Sequence, residues 1–465
     1  MLGRFLPLLF DMTSENKGVT QLKRLIDWHL RHWKDYRYRK PLILRGARQV
    51  GKTYAVKHLG KLFDNMVVIN FEEVKKAKNL FEKDLVADRI LNDLSLLAGE
   101  PIIPGKTLLF LDEVQECPEA ILSLRYFYEN MPLLHVIAAG SLLDFAIQKV
   151  GVPVGRVSML YMYPLSFMEF LVATDHKLAA RTVLEGSELS PVIHQKLLDL
   201  VGQYLAIGGI PEAVFKWVET GNALESFEVH HQLANTYRQD FPKYAKKHQI
   251  KYLEQLFNQI PHLIGDQFKY SAIHGEYQKR ELAPCLDLLC HTHIVHRIHH
   301  SAGNGVPLGG EINFEWFKLI FLDVALSQAV IGTDRSPWFL DPQTTFVNQG
   351  SLVEAFVGQE LIAYSPPQRK NDLYFWKRDK KGSQAEVDFL YESDGKVIPI
   401  EVKSDQGKSL KSLHLFLESH PKSLQAIRFS SHNSHVIGNI DSRPLYAVSS
   451  LAQGSQKEAL EFLVS

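Results

Sequence analysis

Apolar residues recur at three- and four-residue intervals over residues 20–36 (TQLKRLIDWHLRHWKDY), a spacing that predicts an amphipathic helix. Two short apolar runs, Leu42–Arg45 (LILR) and Met66–Phe71 (MVVINF), predict strands, and helical spacing returns over residues 74–99. Thr107–Val114 (TLLFLDEV) stays apolar until it ends in two acids, the pattern of a strand covered on both faces. A helix over Ile121–Asn130 (ILSLRYFYEN) separates it from a second such strand, Leu133–Ser141 (LLHVIAAGS). Strands alternating with helices predict a parallel sheet flanked by helices, in which ligands sit at the carboxyl ends of the strands.

Residues 176–345 are mostly helical by the same spacing. Gly208-Gly209 ahead of Pro211 predicts a turn that starts a helix. Residues 250–300 read as helix–turn–helix followed by strands, a winged-helix-like layout that binds DNA in many proteins and packs domains in others. The basic residues there (Lys251, Lys269, Lys279, Arg280, Arg297) are scattered. His291, His293, His296, His299 and His300, with Cys285 and Cys290 nearby, match no established zinc-ligand spacing, and THIVHRIHH reads as a strand with alternating sides. Gly350–Leu361 predicts an amphipathic helix, Leu373–Lys377 a strand, and Ala385–Ser404 a hairpin turning at Asp394-Gly395.

Chemistry enters at the end of the first strand. Gly46-x-x-x-x-Gly51-Lys52-Thr53 is the P-loop pattern. A glycine-rich turn lets backbone N–H groups converge on phosphates with no Cβ in the way, and the helix that follows points its positive end at the same place. Gly46, Ala47, Arg48, Gln49, Val50, Gly51, Lys52, Thr53 and Tyr54 are therefore the expected nucleotide contacts. Lys52 supplies charge to the β- and γ-phosphates and Thr53 a hydroxyl ligand for Mg²⁺. About 60 residues on, Asp112 is placed to hold Mg²⁺ and Glu113 to orient and deprotonate water. Ser141, at the next strand end, can reach the γ-phosphate or that water. ATP and Mg²⁺ are the expected cofactors.

Composition limits the rest. A chain of 465 residues exceeds one compact core, so two to four domains are expected. It is 45% hydrophobic and 22% charged with a formal net charge of zero, so it is not basic throughout, although a local basic face is allowed. Three cysteines make no disulfide framework and imply a reducing compartment. MLGRFLPLLF lacks a small-residue cleavage pattern, and no run approaches the ~18 apolar residues of a membrane span. The expectation is a cytoplasmic protein with no membrane partner.

In the C-terminal hairpin, a two-residue turn at Asp394-Gly395 sets Asp388 opposite Glu401 and Glu386 opposite Lys403. Alternation puts these four on one face, with Val387, Phe389, Ile400 and Val402 on the other. Opposed carboxylates repel, and a divalent cation bridging Asp388 and Glu401 would compensate. Lys403 would then position a water or stabilise a phosphate.

RGARQVGKT, LLFLDEVQ, AAGS, Gly155-Arg156 and the Pro164–Phe170 block together resemble prokaryotic AAA-type ATPases that carry a C-terminal nuclease-like domain. YLAIGGIPEAV (Tyr204–Val214) and TYRQDFPKY (Thr236–Tyr244) extend the likeness. The resemblance implies that Arg156 meets the phosphates, in its own subunit or across an interface. The hairpin resembles the PD-(D/E)XK nuclease core, with Val387 rather than Pro before Asp388. That likeness implies a further acid from the preceding helix, Glu354 first and Glu360 second. The implied fold is an α/β P-loop NTPase sheet of the AAA type over residues 37–175, after a helical segment at 1–36. A helical and winged-helix-like region follows at 176–345, then a restriction-endonuclease-like α/β domain at 346–465. Two functions follow: ATP turnover coupled to DNA binding or processing, or a nucleotide-dependent switch whose inactive C-terminal domain binds a protein partner. Either allows an oligomer.

Overall fold

A computed structural model describes residues 22–186, 189–370, 372–379, 385–403 and 410–465. The opening MLGRFLPLLF lies outside them. The helix expected from residue 20 runs Leu25–Asp35.

The first sheet contains β1 (Leu42–Arg45), β2 (Asn65–Asn70), β3 (Thr107–Asp112), β4 (His135–Ala139) and β5 (Ser158–Tyr161), all parallel, in the order β2-β3-β4-β1-β5. Every residue of β3 and β4 is buried because helices cover both faces. Alternate side chains enter different cores: Leu42, Leu44, Leu108 and Phe110 on one face, Ile43, Leu109, Leu111 and Val136 on the other. The helical spacing over 74–99 resolves into two helices, Lys78–Glu82 and Ala87–Ala98. Between them the Asp84 carboxylate accepts the Val86 N–H and binds Arg89, fixing the turn that restarts the helix.

The two-glycine turn joins the helices Pro191–Ile207 and Pro211–Thr220. Gly209 donates its N–H to buried Asp323, and a Cβ there would lie 2.1 Å from the Leu165 carbonyl oxygen, so no side chain fits. Helices Ile250–Gln259 and Lys279–His291 precede two antiparallel strands, β6 (Val295–Ser301) and β7 (Ile312–Phe321). The histidine-rich segment forms β6 and the corner before it, and its imidazoles serve separate partners. His293 Nε2 lies 3.4 Å from Asp144, and His300 Nε2 meets the Lys377 carbonyl.

A division at residue 345 does not separate the sheets. β6 and β7 continue into an eight-stranded sheet with β8 (Leu373–Lys377), β9 (Glu386–Ser393), β10 (Lys396–Lys403), β11 (Ala426–Ser430), β12 (His435–Ile437) and β13 (Ile440–Pro444). Its order is β12-β13-β11-β10-β9-β8-β6-β7. The helix Gly350–Ala363 packs on this sheet and the helix Lys411–Ser419 joins β10 to parallel β11. No single helix among the described residues is long and apolar enough to cross a membrane.

Candidate functional site

The loop after β1 takes the conformation its glycines allow. Gly46 and Gly51 have φ of 148° and 98°, and a Cβ on Gly46 would lie 2.2 Å from the Met162 oxygen. Gln49 also sits at positive φ, 64°. The next helix, Lys52–Gly60, begins as Ala55 N–H bonds to the Gly51 carbonyl. Lys52 folds into the loop and donates to the carbonyls of Gly46 (2.9 Å) and Ala47 (2.7 Å). Burial lowers its pKa to about 8 against the pull of Glu113 and Asp112. Tyr54 is exposed on the same helix and stacks with His58.

Thr53 and Asp112, 59 residues apart in sequence, come together, with Thr53 Oγ1 3.1 Å from Asp112 Oδ2. Burial and neighbouring Glu113 raise the Asp112 pKa to about 6. A hydroxyl and a carboxylate at the carboxyl edge of the sheet are a fitting donor pair for Mg²⁺. Glu113 adopts a left-handed conformation, φ 49°, and donates its N–H to Asp112 Oδ1. Its carboxylate accepts from Gln115 Nε2 at 2.6 Å. Gln115 crosses to the end of β4, where a Cβ on Gly140 would lie 2.0 Å from its Oε1. It therefore packs against the strand end that carries buried Ser141, with its Oε1 making no hydrogen bond among the described residues. Nothing local in the sequence marks Gln115 for this role.

Arg24 is a second residue the sequence does not mark. Its buried guanidinium holds Glu169 Oε1 (2.8 Å), the Val50 carbonyl (3.0 Å) and the Tyr163 carbonyl (2.7 Å), bracing the loop from behind. Arg48 pairs with Asp240 at 3.1 Å, and Tyr237 donates to the Arg48 carbonyl. The helix Ala223–Tyr244 thereby grips the loop from the other side.

Arg156 is elsewhere. It precedes β5, whose Ser158 pairs with Leu42 at the start of β1, whereas the loop follows Arg45 at the other end. The strand between them spans about 10 Å. Arg156 lies half-buried at the surface and bonds Glu129 at 2.9 Å. It does not reach the phosphate loop of its own chain.

In the second sheet, Glu354, Asp388, Glu401 and Lys403 gather where β9 and β10 part. The turn sets the expected register as far as Phe389↔Ile400. Beyond that, Asp388 Oδ2 takes the Val402 N–H at 2.7 Å. A β-bulge causes the divergence: β9 advances three residues from Val387 to Leu390 while β8 advances two. Smooth alternation is lost. Val387 joins the core beneath the Lys411–Ser419 helix, while Phe389 packs against Gly358 on the other helix. Glu386 does not face Lys403. It pairs with Lys318 (2.5 Å) and Lys377 (3.4 Å), and Lys403 pairs with Glu401 (2.5 Å). Burial pushes the carboxyls of Glu354, Asp388 and Glu401 upward. Among the described residues, no group of three or more His, Cys, Asp and Glu side chains is arranged to hold a metal ion. The expected cation bridge between Asp388 and Glu401 thus has no preformed cage, and lysines supply the countercharge.

Glu360 does not join this cluster. It is buried and accepts the Phe167 N–H at 2.9 Å, linking the Gly350–Ala363 helix to the ATP-site side of the molecule. Burial raises its pKa to about 8. A carboxyl raised in the folded state contributes stability that is full below its unfolded value, near 4.3, and lost as pH rises through 8. Glu360→Gln keeps a carbonyl for Phe167 but cannot ionise. Its stability relative to the natural chain, read from the melting temperatures, should therefore climb between pH 6 and pH 8 and level off above that, by at most about 3 kcal/mol. A pH-independent difference would contradict this.

Residues 38–171 match the family described as an AAA domain. Residues 198–336 and 349–443 match two others, each described as a domain of unknown function (DUF8612 and DUF4143). No curated protein matches the chain. Among solved structures, it is similar to the Walker-type ATPase PABY2304 of Pyrococcus abyssi, at 15% identity and a TM-score of 0.44, covering 67% of this chain and 96% of that one. It is also similar to the Aeropyrum pernix ORC1 protein in complex with DNA (12%, 0.27, covering 66% and 90%) and to C. elegans PCH-2 (12%, 0.23, covering 45% and 60%). These scores carry no argument. The domain match and the parallel sheet ending in a P-loop make the N-terminal unit a P-loop ATPase domain of the AAA type.

Proposed function

We propose that this chain, an ATPase of the P-loop AAA type, hydrolyses Mg-ATP and couples turnover to DNA binding or processing through a nuclease-like C-terminal domain. The observation that carries the ATPase reading is the Thr53–Asp112 contact, with Glu113 held by Gln115 beside it. The backbone of Gly46–Thr53 binds the phosphates, and Lys52 exchanges the Gly46 and Ala47 carbonyls for phosphate oxygens. Thr53 and Asp112 would hold Mg²⁺, which neutralises charge developing on the phosphates. Glu113 takes a proton from the attacking water, and Gln115 and Ser141 orient that water. Arg156, absent from its own pocket, is assigned to a neighbouring subunit's phosphates.

For the C-terminal part, the support is the element order helix–β8–β9–β10–helix–β11 with Glu354, Asp388, Glu401 and Lys403 drawn together. In the helix pair before β6 and its connection, Lys251, Lys269, Lys279 and Arg280 are exposed and available to a phosphate backbone, whereas Arg297 is engaged by Asp287. A second reading is favoured by one observation, the lysine ammonium inside the acid cluster: the domain binds DNA or a protein partner without cutting. ATP hydrolysis measured with single- and double-stranded DNA, alongside a solution mass, tests the coupling. The expected result is turnover stimulated several-fold by DNA. Turnover indifferent to every DNA would leave only the protein-partner switch.

A further inference from the structure

Lys318 on β7 is 1% exposed, and its ammonium lies 3.0 Å from Glu354 Oε1, 2.5 Å from Glu386 Oε1 and 3.8 Å from Asp388 Oδ1. A lysine is taken out of water at this cost only where carboxylates surround it. Here three do, and they include two of the acids expected to hold a divalent cation. Three carboxylates within 4 Å favour the charged form, so the group is an ammonium ion.

A divalent cation would compete with this ammonium for the oxygens of Glu354 and Asp388. Mg²⁺ or Mn²⁺ needs oxygens at about 2.0–2.2 Å, and a second cation a few ångströms away in a dry site would be strongly repelled. Counted with Lys377 and Lys403, three ammonium groups face the four carboxylates of Glu354, Glu386, Asp388 and Glu401, leaving little charge for a metal to neutralise. One oxygen is still unserved. Glu401 is 4% exposed, and its Oε2 has no hydrogen-bond partner among the described residues although Lys403 holds Oε1. This buried acceptor beside Asp388 is an oxygen that a metal could use once Lys318 no longer occupies the cluster.

We propose that Lys318 is a tethered cation that fills the acid cluster and keeps divalent metal out of it, so that the cluster becomes a metal site only when this ammonium is removed. The inference rests on the nuclease-like reading of Glu354, Asp388 and Glu401. The occluding group comes from the β6–β7 hairpin, whereas the acids come from the Gly350–Ala363 helix, β9 and β10. Occupancy of the cluster therefore depends on how these two parts of the chain sit against each other.

The test is Mn²⁺ binding to the nucleotide-free full chain, followed by the electron paramagnetic resonance of free Mn²⁺. The natural chain should show no Mn²⁺ site that Asp388→Asn removes. Lys318→Met, close in length and uncharged, should bind one further Mn²⁺ per chain at least tenfold more tightly than any Asp388-dependent site in the natural chain. Lys318→Met/Asp388→Asn should lose it. An Asp388-dependent Mn²⁺ site in the natural chain, with Mn²⁺-dependent DNA cleavage, would overturn the inference and leave the nuclease-like reading standing. A folded Lys318→Met chain with no added site would overturn both. If Lys318→Met does not fold, Lys318→Gln, uncharged and able to hydrogen-bond the same carboxylates, takes its place under the same outcomes.

Discussion

Glu113→Gln should lower ATP turnover by about 10²–10⁴-fold, the usual contribution of a positioned base, while Mg-ATP remains bound. Its left-handed backbone aims the carboxylate past Asp112, and Gln115 holds one oxygen in place. A glutamine keeps an oxygen for Gln115 and leaves Thr53, Asp112 and Lys52 untouched, so binding survives and proton removal does not. Steady-state phosphate release and equilibrium binding, measured on the same preparation, separate the two effects. Unchanged turnover would remove Glu113 from the chemistry. Weakened binding with unchanged turnover per bound nucleotide would give it a structural role.

The second large effect is expected at Arg24. Arg24→Ala should destabilise the chain by about 3–5 kcal/mol, because it strands the buried Glu169 carboxylate and the Val50 carbonyl behind the phosphate loop. Glu169 keeps the N–H groups of Leu25 and Ser166, which soften the loss without supplying a countercharge. Arg24→Lys should recover part of the stability but not the three-way contact, since an ammonium is a point charge rather than a planar fork. Denaturant unfolding monitored in the absence of nucleotide checks both. A loss below about 1 kcal/mol for Arg24→Ala would show that the brace is not needed.

The parts of the molecule legible in its sequence are those where neighbouring residues carry the whole message. LILRGARQVGKT announces a strand, a glycine turn and a helix in one stretch. TLLFLDEV and LLHVIAAGS announce buried strands, and the parallel direction of the four strands read from the sequence follows from their alternation with helices, whereas β5 carries no such local signal. Residues that act from a distance leave no such trace. Arg24 meets Glu169 across 145 positions, and Lys318 meets Glu354 across 36 from a strand in another part of the chain. Lys318 sits in an apolar strand, KLIF, where a lysine reads as a solvated end.

One expectation failed and another was narrowed, each for an identifiable reason. The hairpin register was sound through its first five pairs, but alternation from the turn cannot foresee a bulge set by β8 on the other edge. Arg156 was placed by family likeness alone. A residue ahead of a parallel strand lies at the sheet edge opposite the phosphate loop, so the sheet already argued against contact within one chain. His296, His299 and His300 do lie in a strand, while His293 meets Asp144 from the corner before it.

The account stands on a nucleotide occupying the loop after β1. Equilibrium titration with a non-hydrolysable ATP analogue and Mg²⁺ should give one analogue per chain, with binding abolished by Lys52→Ala. No binding to the natural chain, or equal binding to Lys52→Ala, would contradict it.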